Sequence, residues 1–330
     1  LAHTRDVASR RRKAAIIGGL FALFTTLAAV VVGLSGSAGA TAARAVPAAV
    51  TAPAPATPPD LVGTLVAEHS LTVDGVKRTY RSIVPATPAP HPLPLMIVLH
   101  GRGQQPWTAV LATGFLPLAR KGQAVLVYPD GISRSWNAGS GCCGIAGTRG
   151  TPDTAFVTAV VADALHGLPV DPARVYLVGY SNGGKLAWLL TCTHPALFAA
   201  AATYGAAPLA PCTAAQGPPS LMAVGVHDPV LPIGGEPKAH PALPSARLAA
   251  GWLARRDRCT AAPATSTVGG AVLLHWTGCA AGTEVELAVY PAADHDWPSA
   301  VTGLMWTFLG SHRSPDPPTQ VLAAPTPAHV

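Results

Sequence analysis

Charge is scarce in this chain: Asp, Glu, Lys and Arg together make up only 12% of its 330 residues. The net charge of +6 would read as a nucleic-acid footprint if it lay on one face, but Arg5, Arg10, Arg11, Arg12 and Lys13 against Asp6 supply +4 of it. The remaining 17 basic and 15 acidic residues imply no basic patch, so nucleic acid is not an expected partner. Cysteine is limited to six residues, with no paired Cys-x-x-Cys and no His-rich spacing beside them, so no metal site is expected. No internal repeat is present. What the chain does have is apolar residues, 49% of the total, which excludes a disordered or fibrous protein.

The basic head is followed by an uncharged run, Ala14 to Leu34, and by small residues in which Ala38-Gly39-Ala40 fits an A-x-A cleavage site. Residues 1–40 therefore read as a signal peptide or, because the run is long enough to span a bilayer, as an uncleaved membrane anchor. Both readings export the remainder, and an anchor would be its one link to a membrane. Export makes disulfides the default state of the six cysteines, with 15 full pairings open. Cys192 with Cys212 and Cys259 with Cys279 are each twenty residues apart and are favoured as local bridges, each stabilising by about 3 kcal/mol in the loop-entropy account. Cys142 and Cys143 are left as a vicinal disulfide or as buried thiols.

Ten of the 34 prolines fall in residues 47–60 and 314–330. Residues 41–60 thus read as a semi-rigid Pro/Ala linker, 314–330 as a disordered tail, and 61–313 as one domain of ample size for a core. Within it, Thr64 to Val73 and Val76 to Val84 alternate in polarity around Asp74-Gly75, a type I′ hairpin signal. The pattern then changes to short apolar runs at Leu95–Leu99, Ala124–Tyr128, Val175–Val178, Leu221–Val226 and Val285–Tyr290. Helix-like stretches at Thr108–Arg120, Asp153–His166, Asn182–Cys192, Ser245–Arg256 and Ser299–Leu309 separate or follow them. The expected fold class is α/β, a mostly parallel central sheet with helices on both faces and an antiparallel N-terminal hairpin. Phe156, Val160 and Leu165 fall at helical spacing and read as core.

Such a sheet places its chemistry at the carboxyl ends of the strands. After Val175–Val178 comes Gly179-Tyr180-Ser181-Asn182-Gly183-Gly184, a G-x-S-x-G between strand and helix, with Ser181 as candidate nucleophile. The glycines are required because strand and helix must approach closely at so sharp a turn. A serine hydroxyl needs a base to take its proton and a third group to orient that base. Asp228 follows one later apolar run and His295 the next, giving the chain order Ser, Asp, His of α/β-hydrolases. His227 is a weaker alternative base. Oxyanion donors are expected from the backbone N–H groups of Asn182 and of Arg102, the latter in the loop Leu99 to Gln104. Trp136, Asn137 and Trp297 lie near the same strand ends and are candidate substrate-binding residues, with a structural role the alternative for each tryptophan.

The segments LHGRGQ (99–104), YPDG (128–131), WNAG (136–139) with Cys142-Cys143-Gly144, VDPARVYLVGYSNGG (170–184), Asp228 to Pro232 and HDWP (295–298) together resemble the secreted polyhydroxybutyrate depolymerase and feruloyl esterase group, carbohydrate esterase family one of the α/β-hydrolase fold. The resemblance runs in order from about residue 70 to 312. It implies an extracellular serine esterase without a cofactor, acting on carboxylic esters with Ser181, Asp228 and His295 at matching positions. It also implies cysteines at the places of the two favoured bridges. The chain departs from the group at Pro152-Asp153, where two acidic residues are usual, and at Asp294, where glycine is usual. The rival readings are an extracellular acyltransferase on the same fold, a serine peptidase, and a noncatalytic surface-binding protein.

Overall fold

The computed structural model describes residues 60–318. The expected signal or anchor, nearly all of the linker and most of the tail lie outside the described residues. Among the described residues no helix is long and apolar enough to cross a membrane.

Ten strands form one sheet: β1 (Thr64–Val73), β2 (Val76–Pro85), β3 (Leu93–Leu99), β4 (Val125–Pro129), β5 (Val170–Tyr180), β6 (Ala200–Tyr204), β7 (Ser220–Gly225), β8 (Ala264–Val268), β9 (Ala271–Trp276) and β10 (Val285–Tyr290). Their order across the sheet is β1-β2-β4-β3-β5-β6-β7-β10-β9-β8. The six strands from β4 to β10 in that order are parallel, and an antiparallel hairpin flanks them on each side. The N-terminal hairpin turns at Asp74-Gly75, both with positive φ, as its sequence predicts. The C-terminal hairpin, β8 with β9 turning at Gly269-Gly270, is a second antiparallel edge that no apolar alternation in the sequence announces.

Burial follows strand position. Every residue of β3, β4, β6 and β7 is buried, whereas every residue of the edge strand β8 is exposed. Side-chain alternation sends Met96, Val98, Leu126 and Ala288 to one face, where they meet α1 (Pro106–Thr113), α2 (Leu116–Arg120) and, later in the chain, the helix Ser299–Gly310. Leu95, Ile97, Leu99 and Leu177 point the other way, against Asp153–Gly167 and Asn182–Thr193, while Met222, Val224 and Leu287 pack on Ala246–Arg256. With the short helix Gly144–Thr148 as α3, these are α4 (Asp153–Gly167), α5 (Asn182–Thr193), α6 (Ala246–Arg256) and α7 (Ser299–Gly310). Each fully buried Leu, Ile or Val in this double-sided core contributes about 1.5–3 kcal/mol. Phe156 and Val160 are fully buried on α4 and Leu165 packs against them partly exposed, as their spacing predicts.

Two boundaries differ from expectation. The helix expected over Thr108–Arg120 is broken at Gly114, whose φ of 66° ends α1, before α2 restarts ahead of Pro117. Residues 314–318, expected to open the tail, are held against the domain, with the Ser314 N–H donating to the Ala173 carbonyl and Pro318 buried. All six cysteines are bonded: Cys192 to Cys212, Cys259 to Cys279, and Cys142 to its neighbour Cys143.

Candidate active site

Ser181 sits between β5 and α5 with φ 51° and ψ −118°, a conformation that L-residues rarely adopt. The local sequence permits it. A Cβ on Gly183 would lie 2.3 Å from the Leu99 carbonyl oxygen, and one on Gly179 would lie 2.5 Å from Gly184 Cα. The turn is thereby pressed against the end of β3 and fixed further by the Ser181 N–H donating to the Tyr204 carbonyl at 2.9 Å.

The structure brings Ser181, His295 and Asp228 together from the ends of β5, β10 and β7. Ser181 Oγ is 2.9 Å from His295 Nε2, and His295 Nδ1 is 2.7 Å from Asp228 Oδ2. Asp228 is buried, and its other oxygen accepts from the Val230 and Leu231 amides at 2.8 and 2.7 Å. Burial alone would raise its pKa, but the hydrogen bond from His295 and those amides outweigh it and hold the carboxyl below its usual range. An ionised Asp228 accepts a hydrogen bond from the His295 Nδ1–H, which leaves Nε2 as the acceptor for the Ser181 hydroxyl. His227 is exposed, and its backbone N–H donates to the Ala293 carbonyl at 2.9 Å, outside this network.

The histidine loop is held from a distance. Tyr180 donates its hydroxyl to the His295 carbonyl at 2.9 Å, and Tyr204 donates to the Asp294 carbonyl at 2.6 Å. Burial, reinforced by the charges of Asp296, Asp228 and Asp294, pushes the Tyr180 phenol up to about 12, and burial raises Tyr204 as well, so both stay protonated donors. Trp297 lies edge-on to Phe115, Tyr180 and Tyr204 and donates its indole N–H to Thr302 Oγ1 at 3.0 Å. It anchors the loop to the core and is absent from the wall of the cavity at Ser181.

Trp136 likewise departs from the substrate-wall expectation, because it is fully buried and has no surface to offer a ligand. Its indole N–H donates to the His100 carbonyl at 2.8 Å, while its backbone N–H and carbonyl exchange hydrogen bonds with the Asn182 side chain at 2.8 and 3.0 Å. The residue after the serine is therefore clamped to the loop that carries Arg102. Asn137 has its polar groups engaged with Asp153, Thr151 and Gly139, a structural assignment in place of the expected ligand contact. Asp153 is itself buried and paired with Arg78 at 2.8 Å, tying this loop to β2. His100 completes the cradle: Nε2 accepts from the Gly131 N–H at 3.0 Å and Nδ1 faces the Gly101 carbonyl at 2.8 Å, which fixes the neutral tautomer. Burial lowers its pKa to about 4.

Among the described residues the Arg102 N–H donates to no protein acceptor, and Asn182 opens α5, where backbone N–H groups lack intrahelical partners. Both residues line a cavity of about 270 Å³ into which Ser181 opens. The bonded pair Cys142 and Cys143, Lys185, Val230 and Leu243 complete much of its wall. A second cavity of about 120 Å³, walled by Trp188, Leu189, Leu209 and Trp252, shares Lys185 with the first. None of Tyr180, Tyr204, Lys185 and Trp252 was singled out from the sequence, since their roles depend on contacts far along the chain. At the opposite end of the sheet, His275, Glu284 and Glu286 bring ligand atoms within 4.8 Å of one another, at spacing that a metal ion would accept. Glu284 there pairs with both His275 and His312, which accounts for the grouping.

A model of the family described as esterase PHB depolymerase matches residues 78–239. The chain is 33% identical over 174 residues to a protein of Nocardia uniformis subsp. tsuyamanensis named NocK, covering 51% of this chain and 50% of that one. It is 30% identical over 139 residues to feruloyl esterase C of Emericella nidulans, covering 42% and 46%. The chain thus spans about half the length of the curated relatives it matches. Its fold is shared with an acetyl xylan esterase from Aspergillus awamori, at a TM-score of 0.57, 13% identity, and coverage of 74% of this chain and 99% of that one. An α/β-hydrolase sheet, a strand-serine-helix turn and the match of the esterase PHB depolymerase model over residues 78–239 agree with the resemblance read from the sequence.

Proposed function

We propose that this protein is an exported serine esterase that hydrolyses carboxylic esters through an acyl-enzyme. The reading rests on one observation, the continuous hydrogen-bonded line from Ser181 Oγ through His295 to the buried Asp228. His295 Nε2 takes the Ser181 proton as Oγ attacks the ester carbonyl, and the Asn182 and Arg102 N–H groups hold the oxyanion. Asp228 keeps the imidazole oriented and stabilises its positive charge. The C–O bond to the alcohol then breaks, and the alcohol leaves with the proton from His295. Water attacks the acyl carbon, giving its proton to Nε2, and the acid departs as Ser181 recovers its hydrogen.

Residues 61–313 would form the catalytic domain, carried outside the cell behind the signal or anchor of residues 1–40 and the linker 41–60. The three disulfides suit that location. Relatives named feruloyl esterase C and poly(3-hydroxyalkanoate) depolymerase C suggest two substrate classes, aryl or acetyl esters and hydroxyalkanoate oligomers. An acyltransferase would use the same residues with an acceptor alcohol in place of water.

The test compares hydrolysis of p-nitrophenyl acetate, methyl ferulate and a soluble hydroxybutyrate oligomer by the wild type and by Ser181→Ala. The substitution is expected to lower kcat by about 10⁴-fold or more with an unchanged melting curve. Equal activity in the variant would overturn the reading.

A further inference from the structure

The cavity beside Ser181 carries two cations and no carboxylate. Lys185 and Arg102 both line it, and no Asp or Glu does. Among the described residues, neither side chain makes an ion pair or a hydrogen bond. The buried cations elsewhere in the chain are matched: Arg78 holds Asp153 and Arg256 holds Asp257. Lys185 lies one helical turn beyond Ser181, with its N–H donating to the Ser181 carbonyl, and is half-buried. Arg102 leaves the oxyanion loop and lays its side chain over Gly144, where a Cβ would sit 3.4 Å from Arg102 Cδ.

An ammonium withdrawn from water beside a guanidinium is disfavoured unless an anion offsets it. Burial and the Arg102 charge both push the Lys185 pKa down. The one carboxylate whose charge opposes them is Asp228, already occupied by His295 and two backbone amides. The N-terminal end of α5 faces the same cavity through Asn182 and adds to the positive field. A neutral acetyl or feruloyl ester would leave the half-buried Lys185 uncompensated beside the exposed Arg102. A substrate with its own carboxylate would satisfy them at the moment it binds.

We infer that this cavity is a carboxylate subsite, and that the preferred substrates are esters bearing a free carboxylate a few atoms from the scissile bond, held by Lys185 and Arg102. The inference rests on Ser181 being the nucleophile. The carboxylate has two chemical sources, the alcohol side, as in the acid end of a hydroxy-acid oligomer, or the acyl side, as in a monoester of a dicarboxylic acid.

Two matched pairs separate them: the 3-hydroxybutyrate dimer acid against its terminal carboxamide, and ethyl hydrogen succinate against ethyl succinamate. In the purified protein at low salt, the acid of one pair is expected to exceed its amide in kcat/KM by about tenfold, mainly through KM. The favoured pair identifies the side of the ester that carries the anion. The preference should shrink in added salt, fall to about twofold or less in Lys185→Met, and return in Lys185→Arg. Acids no better than amides in both pairs would overturn the inference while Ser181-dependent hydrolysis of the amides left the esterase reading standing. A preference unchanged in Lys185→Met would also overturn it. Absence of hydrolysis of all four esters by folded protein would remove both readings together.

Discussion

The serine turn and the histidine loop meet at the bond between Ser181 and His295 and at that from the Tyr180 hydroxyl to the His295 carbonyl, each 2.9 Å, yet they are built by opposite means. The turn is a matter of backbone against backbone: Gly179 and Gly183 leave no room for a side chain, and six consecutive residues carry the whole specification. The loop is held by side chains recruited from elsewhere, with Tyr180 and Tyr204 reaching residues 115 and 90 positions away and Trp297 wedged among aromatic rings. A device made of close approach tolerates no added atom. One made of several side-chain contacts can lose them one at a time.

The largest effect should therefore come from the turn. Gly183→Ala forces a Cβ against the Leu99 and His100 carbonyls and is expected to cost about 3 kcal/mol or more, read as a loss of thermal stability together with activity. A variant with wild-type melting would break the contrast between the two regions.

His100, in the cradle of the same turn, gives an effect of similar size that depends on pH. Its folded pKa of about 4 lies below the value of 6.5 for an ordinary histidine, so between these values the unfolded chain binds a proton that the folded chain does not. Its stabilising contribution is fully present above pH 6.5 and is lost as the pH falls toward 4, by about 3 kcal/mol over the whole window. Chemical denaturation at pH 7 and pH 4.5 should show a steeper loss for the wild type than for His100→Gln. Parallel losses would remove His100 as the cause.

The smallest effects belong to the histidine loop. Tyr180→Phe and Tyr204→Phe each delete one hydroxyl anchor and are expected to cost about 1 kcal/mol, with a several-fold fall in kcat and a larger fall when combined. Additive losses with no change in kcat would mean that the hydroxyls stabilise the fold without holding His295 in place.

The same contrast explains what the sequence revealed. Ser181 was legible because its turn is local, and Asp228 and His295 because each closely follows a continuous apolar run that becomes a buried parallel strand. The N-terminal hairpin was legible through Asp74-Gly75. Strand β6 was not, since AAATY carries little β preference and owes its place to neighbours on both sides. Strand β8 was missed because its Thr and Ser residues are exposed and show no apolar alternation. Trp136 and Trp297 misled for the converse reason: proximity to strand ends does not say whether a large ring faces solvent or core. The Asn182–Trp136 clamp and the unpaired state of Lys185 depend on tertiary contacts that no spacing announces.

The most direct test of the central claim is to acylate the enzyme and find the atom modified. Mixing the protein with excess p-nitrophenyl butyrate and quenching early should release a burst of about one p-nitrophenol per chain and leave a butyryl group on the peptide containing Ser181. In His295→Ala both burst and label should disappear. A label on any other residue, or steady hydrolysis in which Ser181 is never modified, would contradict the account.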